Sequence, residues 1–388
     1  MTAIRFGRRH FTIGAAASAV SLGIPALAQG EPIKVGVIVP LSGPAGPNGQ
    51  GVANAVSIAA EMINAKGGVL GRKIVVVAKD DESTPAVGVT RANEMVAEKV
   101  ALVIEGWNSP VTLAMQPVLA RADILDITAV SKADPILAGT ANPFAIRINS
   151  SNGQDGGVIA DILANHLGAK RIGFLSQNDA YGNGAQAVIE AELKKIGKPF
   201  EKVVVEQFPF KQTDFRVSLA NVKQAKPDAV VAINAAESSG MPALIQQYRQ
   251  AGIEGTFVGA VGTILPTVFR IAGEAMTGVV SADIYFSDLP PFDGIKENLD
   301  FVAAFKRAHT HAPDKGDAIG AQALMCWASA ANATKSLDRK TVAGAIRGQT
   351  IKGTIFGDMT FEANGQAQHK ATLFKVTDGK TAKLEVLK

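Results

Sequence analysis

Residues 101 to 122 read ALVIEGWNSPVTLAMQPVLARA, and this stretch decides the fold class. Ala101 to Ile104 is a short apolar run suited to a strand buried on both faces, and from Pro110 the apolar residues recur at helical spacing. Between them, Glu105 to Thr112 is a strand end feeding a helix start. Ser109 is the expected N-cap and Pro110 the expected first helical residue, so the N–H groups of Val111 and Thr112 should point back toward the strand end. Such a corner attracts a carboxylate or phosphate through free backbone donors and the positive end of the helix dipole. The plainer reading of the same corner is an ordinary helix cap.

The chain on either side repeats the motif. Ile33 to Pro40 is a nearly continuous β-branched strand, followed by the turn-rich loop Leu41 to Gly51, which contains Asn48, and then a helix through Ala53 to Ile63. The glycines of that loop do not fall into G-x-G-x-x-G spacing, which argues against a dinucleotide site. Strands at Lys73 to Ala78, Ala101 to Ile104, Ile124 to Thr128 and Phe144 to Ile148 alternate with helices at Pro85 to Glu98 and Pro110 to Ala122. After the polar break Asn149 to Gly153 the alternation starts again. Strands are expected at Arg171 to Ser176, Lys202 to Glu206, Ala229 to Ile233 and Thr256 to Gly259, with helices at Gly182 to Ile196, Asp214 to Ala225 and Gly240 to Ala251. Single helices between strands predict right-handed crossovers and doubly wound sheets, with ligands beyond the carboxyl ends of the strands. Past a short strand at Gly278 to Ala282 the pattern becomes three helices, Glu297 to Ala308, Gly316 to Ser336 and Lys340 to Gly348. The tail carries hairpin signals at Asn364-Gly365 and Asp378-Gly379.

At 388 residues the chain suits two domains. Arg5, Arg8 and Arg9 precede an uncharged run from Phe11 to Ile24, and Ala26-Leu27-Ala28 is a small-x-small cleavage site. Residues 1–28 therefore read as an export signal, by the Tat or the Sec route, without the cysteine a lipoprotein anchor needs. The periplasm is the expected location. No later stretch reaches the length of a membrane helix. The formal charge of +4 comes from 39 basic and 35 acidic residues, and the leader holds three of the basic ones. Its removal leaves 36 against 35, a net charge of +1 with no basic patch for nucleic acid.

Catalytic and metal-binding patterns do not emerge. The histidines His166, His309, His311 and His369 form no H-E-x-x-H motif, Cys326 is the single cysteine, and there is no G-x-S-x-G elbow. Ser109 has no identifiable base near it. No enzyme, metal or cofactor is expected, and an exported hydrolase is the weakest of the possible readings. What the pattern predicts is a receptor for a small polar solute.

Several motifs then carry a resemblance: Ile33-Lys34-Val35-Gly36 with Leu41-Ser42-Gly43-Pro44, Ile63 to Gly68, Asp80-Asp81, the Ser109 corner, Tyr181-Gly182, Gln250-Ala251-Gly252 and Ile271 to Glu274. Together they make the chain resemble, from Ile33 to about Phe374, the leucine/isoleucine/valine-binding proteins, the type I periplasmic binding proteins of ABC importers. The resemblance implies two Rossmann-like lobes joined by three crossing segments near 149–151, 281–285 and 353–358. Lobe 1 would hold 31–149 plus 283–355, and lobe 2 would hold 150–282 plus 356–388. It further implies a monomer that delivers a ligand to an ABC transporter membrane permease; a sensor of the same fold feeding a signalling partner is the alternative.

Residue by residue, Ser109 and Thr112 match the family's carboxylate corner. Val130 and Lys132 match the loop that offers a carbonyl and a hydroxyl to an ammonium, and Tyr181 matches a cleft tyrosine. Asn48 and Trp107 join them as ligand candidates. The chain departs from the family at Val261, where the amino-acid binders carry the glutamate that pairs with the ammonium. It departs again at Lys132, which replaces a threonine, and at Glu237, which replaces a tyrosine. Ser83 and Asn108 stand where the family has a disulfide. Losing the glutamate and gaining a lysine points to a carboxylate without an α-ammonium, such as an aromatic or keto acid, with an ordinary amino acid as the second choice.

Overall fold

The computed structural model describes residues 30–138, 142 and 144–387, so the leader expected at 1–28 lies outside the described residues. The first lobe begins with β1 (Ile33–Val39), α1 (Gly46–Ala65), β2 (Ile74–Asp80), α2 (Pro85–Ala97), β3 (Leu102–Glu105), α3 (Ser109–Arg121), β4 (Leu125–Thr128), α4 (Pro135–Ala138) and β5 (Ile146–Arg147). The second lobe runs through α5 (Asn152–Asp161), β6 (Arg171–Gln177), α6 (Ala180–Ile196), β7 (Glu201–Phe208), α7 (Arg216–Ala225), β8 (Ala229–Ile233), α8 (Gly240–Gln250), β9 (Thr256–Gly259), α9 (Pro266–Ala272) and β10 (Val280–Asp283). Then come α10 (Lys296–Ala308), α11 (Lys315–Thr334), α12 (Arg339–Gly344), the hairpin β11 (Thr350–Thr354) and β12 (Gly357–Thr360), and finally β13 (Thr372–Asp378) and β14 (Lys383–Val386).

The first sheet has the order β2-β1-β3-β4-β5 and is parallel throughout. The second repeats that order as β7-β6-β8-β9-β10 and extends it with antiparallel β13 and β14. Every residue of β3, β4 and β8 is buried, as for strands covered by helices on both faces. In each sheet the strand order reverses beside the first strand, between β1 and β3 and between β6 and β8. Those two reversals open crevices at the carboxyl ends of the strands, and loops from both meet at the site described below.

Two parts of the chain differ from the sequence reading. α5 starts inside the polar break at Asn149 to Gly153 and runs on to Asp161, where no helix is expected from the sequence. Its start is a capping box, with Ser151 Oγ accepting from Gln154 N–H at 3.1 Å and Gln154 Oε1 accepting from Ser151 N–H at 3.0 Å. The S-x-x-Q spacing was legible but lacked a strong apolar stripe after it. The β11–β12 hairpin, partly expected in the second lobe from residue 356 onward, packs on α11 and α10 instead. α11 itself lies along α1 in the first lobe. Gln366 still bridges to Arg147 beside the first sheet, so the chain passes over to β13 only between Ala367 and Thr372. The crossing expected at 353–358 is therefore displaced toward the C terminus, because Ile351, Ile355 and Met359 are buried against the helices of the first lobe.

Candidate functional site

The corner after β3 keeps its expected shape with a shift of one residue. Gly106 turns the chain at φ +97°, and a Cβ there would approach Thr112 Oγ1 and Ser131 Oγ at 2.9 and 3.0 Å. Asn108, not Ser109, is the N-cap of α3, and its side chain caps nothing. The N–H groups of Val111 and Thr112 are not free, since both bond to the Asn108 carbonyl at 2.9 and 3.2 Å. The anion-binding capacity of the corner therefore shrinks to Ser109, whose own N–H has no acceptor among the described residues. Released from capping, Ser109 Oγ accepts from the N–H groups of Lys132 and Ala133, both at 3.2 Å, and so ties the loop after β4 to the corner. Its hydroxyl proton is left to point elsewhere.

Seven of the nine sequence-derived residues converge on one cavity: Trp107, Ser109, Val130, Lys132, Tyr181, Glu237 and Val261. Ala235, Gly262, Thr263 and Lys315 complete its lining, and with the lobes closed the space between them is about 20 Å³, room for about one water. Each of the seven comes from the carboxyl end of a strand. Trp107 and Ser109 follow β3, Val130 and Lys132 follow β4, Tyr181 follows β6, Glu237 follows β8, and Val261 follows β9. A larger groove, about 740 Å³, runs along the chain crossings between Ile284 and Thr372, and none of the nine residues lines it.

Thr112 and Asn48 do not line the cavity. Thr112 is fully buried beneath it, donating to Glu105 Oε2 at 2.5 Å and lying 2.9 Å from Ser131 Oγ. Asn48, in the first turn of α1, accepts a hydrogen bond from Ser238 of the second lobe. Its role here is closure of the lobes. Trp107 Nε1 also crosses between lobes, donating to the Ala235 carbonyl at 3.0 Å. Lys132 Nζ donates to the Val261 carbonyl at 2.8 Å, and Lys315 Nζ donates to the Gly262 carbonyl at 2.8 Å. The cleft is shut over the cavity.

Two buried cations dominate the chemistry. Lys132 pairs with Asp155 Oδ2 of α5 at 2.5 Å, and burial pulls its ammonium below the ordinary lysine value while Asp155 pushes it back up. Lys315 is only 3% exposed, and no carboxylate oxygen lies within 4.0 Å of its Nζ among the described residues. It is also the first residue of α11, where the helix dipole adds positive potential rather than relieving it. Each ammonium has three donors; the bonds just given leave one on Lys132 and two on Lys315. Opposite them, burial lifts the Glu237 carboxyl to about 7 and Asp283 to about 6, with Lys315 opposing both shifts. Tyr181 is held well above the usual phenol range by burial and then by Glu237. Glu237 Oε2 is buried without a partner.

Lys315 and Asp155 were absent from the sequence-derived set. The only signal for Lys315 was a cation at the start of a helix, where acids are favoured. Asp155 stands in the first turn of a helix that the sequence reading missed. The Val130 carbonyl, assigned by resemblance to an ammonium, accepts from Asn149 Nδ2 at 2.7 Å. Among the described residues no cluster of histidine, cysteine and carboxylate side chains is arranged to hold a metal, and no helix is long and apolar enough to cross a membrane.

Two lobes of matching strand order, closed over a small cavity at their switch points, define a bilobal solute-binding protein. The chain belongs to the periplasmic binding protein family, whose sequence model matches residues 32–381. Leu/Ile/Val-binding protein homolog 1 of Brucella abortus is 27% identical over 334 residues, 86% of this chain and 87% of that protein. A Leu/Ile/Val-binding protein of Rhizobium johnstonii is 26% identical over 94% of this chain and 97% of its own length. Among solved structures, a solute-binding protein of an ABC transporter from Rhodopseudomonas palustris in complex with benzoate superposes with a TM-score of 0.81 at 25% identity. It covers 92% of this chain and 95% of that one. A leucine-binding protein of Thermotoga maritima gives the same TM-score at 23% identity, over 92% of this chain and 98% of its own.

Proposed function

We propose that the protein is the exported, non-catalytic substrate-binding component of an ABC importer, and that its cargo is a small carboxylate without an α-ammonium, an aromatic or keto acid. The observation that carries this reading is Lys315, a buried cation on the cavity wall with two free donors and no carboxylate partner. A ligand carboxylate supplies the missing charge, with the Ser109 hydroxyl and N–H and the remaining donor of Lys132 as further contacts. The half of the site that would hold an ammonium is weak: the Val130 carbonyl is already engaged, a lysine replaces the hydroxyl, and Val261 offers no charge. Trp107 and Tyr181 supply aromatic surface, and benzoate is bound by the similar Rhodopseudomonas protein. Release of the ligand to a membrane permease follows from opening of the lobes.

The test is titration calorimetry of the mature protein with benzoate, phenylpyruvate, leucine and valine. Benzoate or phenylpyruvate should bind and the amino acids should not. A charge-assisted hydrogen bond is worth about 1.5–3 kcal/mol, so Ser109→Ala and Lys315→Met should each weaken binding roughly ten- to a hundredfold. Leucine binding in the absence of any affinity for the organic acids would overturn the assignment.

A further inference from the structure

Glu237 is the one wall residue whose chemistry the carboxylate reading leaves unused. It sits on the loop after β8, is 4% exposed, lines the cavity, and has Oε2 without any partner. A buried acceptor left unmade is unfavourable, so its complement is expected from whatever fills the space. The charged and titratable groups around it are Lys315 and Asp314 at the start of α11, Lys132 after β4, and Tyr181 at the start of α6. Lys315 is too far from Glu237 to form an ion pair, since no carboxylate oxygen lies within 4.0 Å of its Nζ among the described residues. An ammonium aimed at Glu237 would be a third cation beside Lys132 and Lys315. A neutral hydroxyl satisfies the oxygen without adding one.

Building on the carboxylate reading above, we infer that Glu237 accepts a hydrogen bond from a hydroxyl group of the ligand, so that the cargo is a hydroxylated carboxylic acid. Lys315, Ser109 and Lys132 then take the carboxylate, and Glu237 reads the second polar group. Specificity of this kind is steep, because an analogue lacking the hydroxyl leaves the buried oxygen unpaired.

The experiment compares benzoate, 3-hydroxybenzoate, 4-hydroxybenzoate and 4-aminomethylbenzoate by titration calorimetry on the mature protein and on Glu237→Ala and Glu237→Gln. At least one hydroxybenzoate should bind ten times or more tighter than benzoate. That preference should vanish in Glu237→Ala and should largely survive in Glu237→Gln, which keeps a carbonyl acceptor. Equal affinities for benzoate and both hydroxybenzoates, a preference that persists in Glu237→Ala, or tightest binding of the aminomethyl compound would each overturn the inference and leave the carboxylate site standing. Failure of these four acids and of phenylpyruvate to bind would remove both.

Discussion

Asp81 shows how a single side chain can set a pH dependence. It is fully buried, one carboxylate oxygen accepts from Ser83 N–H at 2.7 Å, and the other has no partner. Burial, aided by the nearby charge of Glu105, raises its carboxyl from 3.8 to about 7. The folded protein therefore holds this proton more tightly than the unfolded chain. The stability that goes with it is complete below about pH 4 and is lost as the pH rises through 7. Asp81→Asn keeps the shape of the protonated form, so its melting temperature relative to wild type should rise between pH 4 and 7 and level off above. The full difference is expected at a few kcal/mol. A wild-type and variant difference that is flat with pH would show that Asp81 is not held protonated. Glu105 and Asp126 are buried beneath the same corner and shifted in the same direction, so the Asp81→Asn variant should itself retain part of the wild-type pH slope.

At the scale of elements, the two lobes use the same packing device. Gly49 lies in the first helix after β1 and Gly182 in the first helix after β6. A Cβ on Gly49 would stand 1.8 Å from the Pro40 carbonyl oxygen, and one on Gly182 would stand 1.9 Å from that of Gln177. Each glycine lets a helix start settle directly on the end of the strand that opens its sheet, which is where the cleft loops begin. Overpacking a rigid contact of this kind costs about 1–3 kcal/mol or more. Gly49→Ala and Gly182→Ala should both lower the urea midpoint. Gly157 in α5 has nothing within 4 Å of its Cβ position, so Gly157→Ala should raise the midpoint through helix propensity, by about 0.5–1 kcal/mol. These glycines were visible in the sequence only as parts of a turn-rich loop and a Tyr-Gly pair. Their reason is a backbone contact that forms when the helix docks.

For the whole molecule, the single thiol offers a probe of global opening. Cys326 lies on α11 beside Trp327, both fully buried in the core of the first lobe, and burial pushes the thiol up to about 12. Reaction with a thiol reagent requires exposure and ionisation together, so labelling should track unfolding. Ligand at a hundred times its dissociation constant should slow it about a hundredfold when refolding outpaces the reagent. Labelling that proceeds quickly and ignores ligand would mean that α11 detaches without the rest of the fold. The closed cleft should respond as a unit as well, because Trp107, Lys132, Lys315 and Asn48 tie the lobes at separate points.

The α/β class, two repeated units, and the strand-end placement of Ser109 and Lys132 were legible in the sequence. Their signals are local: β-branched runs, helical spacing, and turn residues at strand ends. The resemblance added the pairing of the two lobes and the choice of Tyr181, Glu237 and Val261. Only the tertiary structure decided that Asn108 caps α3 in place of Ser109, that Thr112 and Asn48 serve packing and closure, and that the β11–β12 hairpin stays with the first lobe. It alone brought in Lys315, a residue 206 positions after Ser109. The physical reason is that the charge of a buried site is set by every group the fold brings within a few ångströms, and sequence separation carries no information about that distance.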